Sequence, residues 1–267
     1  MSTRTTVTLS VPRRRGVLVF GHRGSAGPQR AENSVKAVET SLSRGADGVE
    51  VDVRLSADGV LVCTHDSVLQ AGAGDRLQVA AHTWAELHRA ASRAGDRLAN
   101  LEQVLAAAGR RGPCQVVVEA KPAVDHASAR STVRALQAAL AEAPSGVGVT
   151  VSSFDWRLLA MLRGSDDAMR TAVLGGSRAP ALTALRHALD AGHQEVHLSL
   201  AAIRLAPDVV RLARRLGVAV TAWTVNGRED LHWAATRGVD AVITDDVALA
   251  RSALRAADSA PLEVVAS

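Results

Sequence analysis

Short apolar runs alternate along the chain with longer stretches whose apolar residues recur every three or four positions. The short runs fall at 17–22, 47–53, 115–120, 147–153, 171–175, 194–199, 218–224 and 240–244. They have the length and valine content of buried strands. The longer stretches have the period of amphipathic helices. At 128–142, for example, Val133, Leu136 and Leu140 share a face, and after Asn33 the residues Val35, Val38 and Leu42 do the same. Further helices are expected at 83–91, 100–109, 156–163, 181–191, 207–216, 228–237 and 246–257. Punctuation fits this reading: Asn33 and Asp155 as N-caps, Pro180 and Pro207 near helix starts, and Gly45, Gly164, Gly192, Gly217 and Gly238 as stops. Strand and helix alternating eight times predict an α/β fold, a closed (β/α)8 TIM barrel, with an open doubly wound sheet as the runner-up. No linker divides the chain, so 16–257 is expected to be one barrel domain between flexible tails at 1–15 and 258–267.

One stretch departs from simple alternation. In Asp47-Gly-Val-Glu-Val-Asp-Val53, valines and acids alternate at period two. On a strand, Val49, Val51 and Val53 then face one way, while Glu50 and Asp52 face the other, about 7 Å apart. Asp58-Gly59 separates this run from Val60–Thr64 and signals a tight turn. A tight turn joins antiparallel strands, so 60–64 is a hairpin extension after the second strand and not a ninth stave. Folding about 57–58 returns His65 to the level of Glu50. Two carboxylates and an imidazole then share one space, as in a hard-cation site with a proton carrier beside it. Residues 66–82 show no period and are read as a loop.

Composition narrows the function. The 267 residues are 47% hydrophobic, but contain only four Trp, two Phe and no Tyr, so the core is built of Val, Leu and Ala. The net charge of +4 comes almost wholly from arginine, because Lys36 and Lys121 are the only lysines. No basic run interleaves with aromatics, which speaks against nucleic acid. Cys63 and Cys114 are widely spaced and read as reduced strand residues of a cytoplasmic protein. Arg13–Arg15 is followed by an apolar run too short for an export signal, and no run approaches the roughly 20 residues of a membrane span, so no stable membrane insertion is expected. Oligomeric state is left open.

In a barrel of this kind the chemistry gathers at the C-terminal ends of the strands. Those ends carry His22 and Arg23, Glu50 and Asp52, Glu119 and Lys121, Ser152 to Phe154, Trp223 and Asn226, and Asp245. Glu119 and Lys121 repeat the i, i+2 spacing of Glu50 and Asp52. Three inward carboxylates need a cation, because an unpaired buried charge costs several kcal/mol. Ser153 and Phe154 read as packing and capping, since no base is spaced to activate the serine. His82, His88, His126, His187, His193, His197 and His232 read as surface or structural.

The ordered set His22-Arg23-Gly24, Glu32-Asn33, Glu50-Val-Asp52-Val, Asp58-Gly59, His65-Asp66, Glu119-Ala-Lys121, Ser153-Phe154, Trp223-Thr-Val-Asn226 and Thr244-Asp245 resembles the glycerophosphodiester phosphodiesterase family from about 17 to 250. That resemblance implies a phospholipase-C-like barrel that uses one divalent cation, Mg²⁺ or Ca²⁺. It implies hydrolysis of a small-molecule glycerophosphodiester to sn-glycerol 3-phosphate and an alcohol. By the same carry-over Glu50, Asp52 and Glu119 match the metal ligands, and His22 and His65 the general acid–base pair. Arg23 and Lys121 match the phosphate contacts. Trp223 and Asn226 are further substrate-side candidates, and Glu32 and Asn33 are expected to orient the groups that touch substrate. Ala31, the Ser-Val-Leu-Gln-Ala-Gly run after Asp66, Leu98–Leu101 and Val247 depart from the family's usual pattern; all spare the charged groups. Two other readings are a lysophospholipase-D-like hydrolase of lipid headgroups and a non-catalytic phosphodiester-binding barrel.

Overall fold

The computed structural model describes residues 16–24, 32–71, 75–95, 97–166, 168–177 and 179–259. The elements run β1 (Leu18–Gly21), α1 (Val35–Ser43), β2 (Gly48–Leu55), β3 (Leu61–Cys63), β4 (Val68–Ala71), β5 (Asp75–Gln78), α2 (Trp84–Arg93), β6 (Ala99–Asn100) and α3 (Leu101–Gly109). They continue β7 (Cys114–Ala120), α4 (His126–Ala141), β8 (Val147–Ser153), α5 (Trp156–Ser165), β9 (Thr171–Gly175), α6 (Ala181–Ala191) and β10 (Glu195–Ser199). The last are α7 (Leu200–Leu205), α8 (Asp208–Arg215), β11 (Ala219–Trp223), α9 (Arg228–Arg237), β12 (Ala241–Thr244) and α10 (Val247–Ser259).

β1, β2, β7, β8, β9, β10, β11 and β12 pair in parallel in that order, and β12 returns to β1, which closes the barrel. The expected (β/α)8 architecture is the one found. The alternation in β2 sorts as expected too. Val49, Val51 and Val53 are fully buried in the core shared with the helices, beside Val116 and Val118 of β7. The other face looks into the barrel. There Phe20, Val117, Ala241 and Ile243 fill one side, with Leu18 and Trp223 against them. In register, Glu50 lies beside Val117 and Asp52 beside Glu119. That close pairing depends on Gly48, where a Cβ would stand 2.1 Å from the carbonyl oxygen of Gln115.

The hairpin is present, with β3 antiparallel to β2 and Gly59 at φ 83° in the turn. Five local expectations need correction. The supposed loop 66–82 contains a second hairpin, β4 with β5, in which Leu69 faces Leu77. Its strands of four residues are too short to show a period. They pack with Trp84 and Leu98 on a small core of Val62, Val79 and Leu87, which anchors the insertion to α2. Residues 99–100 add β6 to the edge of β3. The cap of α1 is Ser34, whose Oγ accepts from Ala37 N, and not Asn33. Gly164 lies inside α5, which runs on to Ser165. A short α7, capped by Ser199, also precedes α8. The expected tail at 1–15 lies outside the described residues. At the other end α10 reaches Ser259, and 260–267 lie outside them.

Candidate active site

Neighbouring strands β2 and β7 bring the acids together. One carboxylate oxygen each from Glu50, Asp52 and Glu119 lies within 4.8 Å of the others. Glu50 and Asp52 are buried, and the Glu119 side chain is 13% exposed. Lys121 leans over the group. Its Nζ sits 2.6 Å from Asp52 Oδ1 and 2.6 Å from Glu119 Oε1.

The turn after β1 wraps around the same acids. Arg23 adopts a left-handed conformation at φ 50°, which aims its backbone N–H at Glu50 Oε2, 3.0 Å away. Its side chain donates to both oxygens of Glu32 at 2.9 and 3.0 Å, and its Nε lies 3.3 Å from Asp52 Oδ2. Asn33, also left-handed at φ 54°, clamps Asp52 twice. Asn33 Nδ2 donates to Asp52 Oδ2 at 2.9 Å, and Asp52 N donates to Asn33 Oδ1 at 2.9 Å. Release from capping duty is what frees the Asn33 side chain for this clamp. Gly24 completes the turn at φ 74°; a Cβ there would meet Ala37 and Val38 of α1 at 2.8 Å.

The carboxylates feel these surroundings differently. Burial, then the charges of Asp52 and Glu119, push Glu50 well above the usual carboxylate range. Burial opposes ionisation of Asp52 as well, but Lys121, Asn33 and Arg23 more than offset it and hold its pKa low. Burial raises Glu119, with Lys121 pulling against it.

Two histidines flank Glu50 and Asp52 in sequence, each tied to an aspartate. His22 Nδ1 is 2.6 Å from Asp245 Oδ1. Asp245 is held in turn by Asn226 Nδ2 at 2.6 Å, and its own N–H donates to Asn226 Oδ1 at 2.9 Å. Hydrogen bonding to His22 lowers the pKa of Asp245, so it stays a carboxylate. His65 Nδ1 is 2.8 Å from Asp66 Oδ1, and the His65 carbonyl accepts from Arg54 Nε at 2.9 Å. Both polar ends of the Asn226 side chain are thus used within the protein, which makes it a brace for Asp245. Trp223 donates its Nε1 proton to the carbonyl of His197 at 3.1 Å and meets Phe154 edge-on, with centroids 5.9 Å apart. Ser153 Oγ donates to Ala120 O at 2.6 Å and accepts from Asp155 N, a capping arrangement. Asp245 and Asp66 were not assigned roles from sequence. The His65–Asp66 adjacency was a usable signal, but the 223-residue separation of His22 and Asp245 hid the other pair.

The donor set fits a divalent cation. Glu50 Oε1 is buried and has no hydrogen-bond partner among the described residues. An oxygen in that state costs about 1–3 kcal/mol or more. The cationic side chains around it are already engaged, Arg23 with Glu32, Lys121 with Asp52 and Glu119, and Arg54 with the His65 carbonyl. A hard cation bound by oxygen ligands meets both the orphaned atom and the excess negative charge.

A parallel barrel with three acids, a lysine and two imidazole–carboxylate pairs at its C-terminal mouth has the groups of a metal-assisted hydrolase acting on an anionic ester. Residues 22–249 match the model of the glycerophosphoryl diester phosphodiesterase family, and the chain belongs to that family. It is a phosphoric diester hydrolase. The Mycobacterium tuberculosis protein named "Probable glycerophosphodiester phosphodiesterase 1" is 31% identical over 83% of this chain and 86% of its own length. The glycerophosphodiester phosphodiesterase of Caldanaerobacter subterraneus subsp. tengcongensis is 27% identical over 86% of this chain and 94% of its own. Among solved structures, the glycerophosphodiester phosphodiesterase of Thermotoga maritima superposes with a TM-score of 0.74 at 25% identity, over 90% of this chain and 99% of that one.

Proposed function

We propose that the chain cleaves glycerophosphodiesters to sn-glycerol 3-phosphate and an alcohol, with Glu50, Asp52 and Glu119 holding one Mg²⁺ or Ca²⁺ ion. The observation that carries this reading is the orphaned Glu50 Oε1 inside a carboxylate triad already short of positive charge. When bound, the cation supplies charge neutralisation at the phosphate and lowers the pKa of a hydroxyl beside it.

The protein's own groups do the rest. Nδ1 of His22 is committed to Asp245 and Nδ1 of His65 to Asp66, so each ring offers Nε2 to substrate. One imidazole takes the proton of the attacking hydroxyl while the other, protonated, gives its proton to the departing alkoxide. If the attacker is the glycerol 2-hydroxyl, the first product is a cyclic phosphate, which water opens with the two roles reversed. If the attacker is water, sn-glycerol 3-phosphate forms directly. Lys121 and Arg23 set fixed positive charge beside the phosphorus, where negative charge grows. Trp223, steadied by Phe154 and the His197 carbonyl, is a wall for the uncharged part of substrate.

The experiment is a product assay on glycerophosphocholine with Mg²⁺ or Ca²⁺, followed by phosphorus NMR. Equal amounts of sn-glycerol 3-phosphate and choline, abolished by a chelator, support the reading. Phosphocholine and glycerol as products would refute it, and so would a lack of turnover with either cation.

A further inference from the structure

On the outside of the barrel, α1 and α3 lie side by side and leave a cleft of about 390 Å³. That volume is in the range of small-molecule sites. Its polar lining comes from Lys36 and Glu39 of α1, Gln103 of α3, Arg110 at the end of α3, and Arg97 just before β6. Leu98 belongs to its apolar lining. Among the described lining residues three cations stand against one carboxylate, a net charge of +2. Glu39 is spent on Arg110, whose Nη2 lies 3.2 Å from Glu39 Oε1. Lys36 and Arg97 have no ion-pair partner among the described residues.

The other groups at the cleft have the same sign. Gln103 Oε1 accepts from Asn100 N at 3.1 Å, so what the Gln103 amide has left for a guest is its pair of N–H donors. α1 begins at Val35, which also lines the cleft, so the positive end of the helix dipole adds to the field there. Glu102, the acid of α3, does not line it. The cleft thus offers donors and positive charge, and its one carboxylate is already taken. A phosphate monoester carries a charge of about −1.5 to −2 near pH 7, which matches two unpaired cations. A phosphodiester, a monoanion, leaves one of them uncompensated. Arg23 and Lys121, the phosphate contacts proposed for the reaction, belong to the barrel mouth, so the cleft is a second and separate place for a phosphoryl group.

We propose that the cleft between α1 and α3 binds a phosphate monoester dianion through Lys36, Arg97, Arg110 and the Gln103 amide. sn-Glycerol 3-phosphate, the product under the phosphodiesterase reading, belongs to this class. The inference rests on that reading only for the choice of this probe, because binding in the cleft does not depend on turnover.

The test is calorimetric titration of the full chain, with Mg²⁺ present, by sn-glycerol 3-phosphate and separately by inorganic phosphate. Wild type is expected to show a site for each that the K36Q/R97Q variant weakens on the order of a hundredfold, roughly tenfold for each charge-assisted hydrogen bond lost. Both side chains are exposed, so the variant should keep its fold by circular dichroism and its turnover of glycerophosphocholine. The E39Q variant tests the opposite sign. Removing that carboxylate frees Arg110, and affinity should rise severalfold, a gain that a merely structural role for these residues would not produce. Added salt should weaken binding, as it does for exposed charges. Equal binding of both phosphates by wild type and K36Q/R97Q, or no gain in E39Q, overturns the proposal. Absence of glycerophosphocholine turnover in wild type would count against the phosphodiesterase reading alone, since inorganic phosphate reports the cleft separately.

Discussion

Asn33 shows how much of the site's order rests on side chains that never touch substrate. It supplies both an acceptor for Asp52 N and a donor for Asp52 Oδ2. Asn33→Ala should therefore lower divalent-cation affinity roughly ten- to hundredfold, as loss of a ligand's outer partner commonly does. Calorimetric titration of the variant measures this directly; unchanged affinity would mean that the clamp is incidental. Asp245 has the matching role for His22. Asp245→Asn should keep substrate binding but cut kcat about a hundredfold or more, because the imidazole loses its orienting charge and its fixed tautomer. A KM that rises with kcat unchanged would place Asp245 on the binding side instead. The charged ligand set was legible from sequence because period two puts Glu50 and Asp52 on one face, and Glu119-Ala-Lys121 repeats it. The braces were not. Asn33 looked like a cap because Ser34, one residue on, does that work. Asp245 meets His22 only because β12 closes against β1.

At the scale of elements, the site depends on how closely β2 approaches β7. Their register sets Asp52 level with Glu119, and Gly48 permits the approach at its lower end. Gly48→Ala puts a carbon 2.1 Å from a backbone oxygen, so the strands must part or the register must shift. The expected result is a loss of several kcal/mol, on the scale of overpacking at about 1–3 kcal/mol or beyond it. Cation affinity should fall with it. Urea unfolding and cation titration on the same variant check both; wild-type values for both would contradict the strand-approach argument. The staves were readable from sequence because each βα unit carries its own apolar strand run followed by a stretch of helical period. Within the stretch between β2 and β7, the strand β3 and helices α2 and α3 were readable too, but β4, β5 and β6 were not, since they are too short for a period and take their stability from contact with α2 and β3. Likewise α7 follows β10 without a break, so its apolar residues ran on from the strand.

For the whole molecule, two buried groups away from the acid cluster contribute to the response to low pH. His193 is held at a pKa of about 4, below the ordinary 6.5, first by burial and then by His187 and Arg163. The unfolded chain takes up this proton as pH falls through 6.5, but the folded one only near 4, so stability declines across that window. The decline is on the order of 3 kcal/mol. Glu195 behaves as a paired acid. Burial opposes its charge, but His197 and Arg170 hold it at about 2, so its contribution is present above 4.5 and is lost as pH falls toward 2. Urea unfolding between pH 7 and pH 4 should show a steeper loss for wild type than for His193→Gln. Parallel losses would remove His193 from the account.

The central claim is that Glu50, Asp52 and Glu119 share a single divalent cation, and calorimetric titration of metal-free protein with Mg²⁺ or Ca²⁺ tests it most directly. The account predicts one binding site per chain in wild type, weakened at least about tenfold in both Glu50→Gln and Glu119→Gln, which retain the wild-type fold by circular dichroism. Equal affinity in wild type and both variants, or no binding of either cation by wild type, would contradict it.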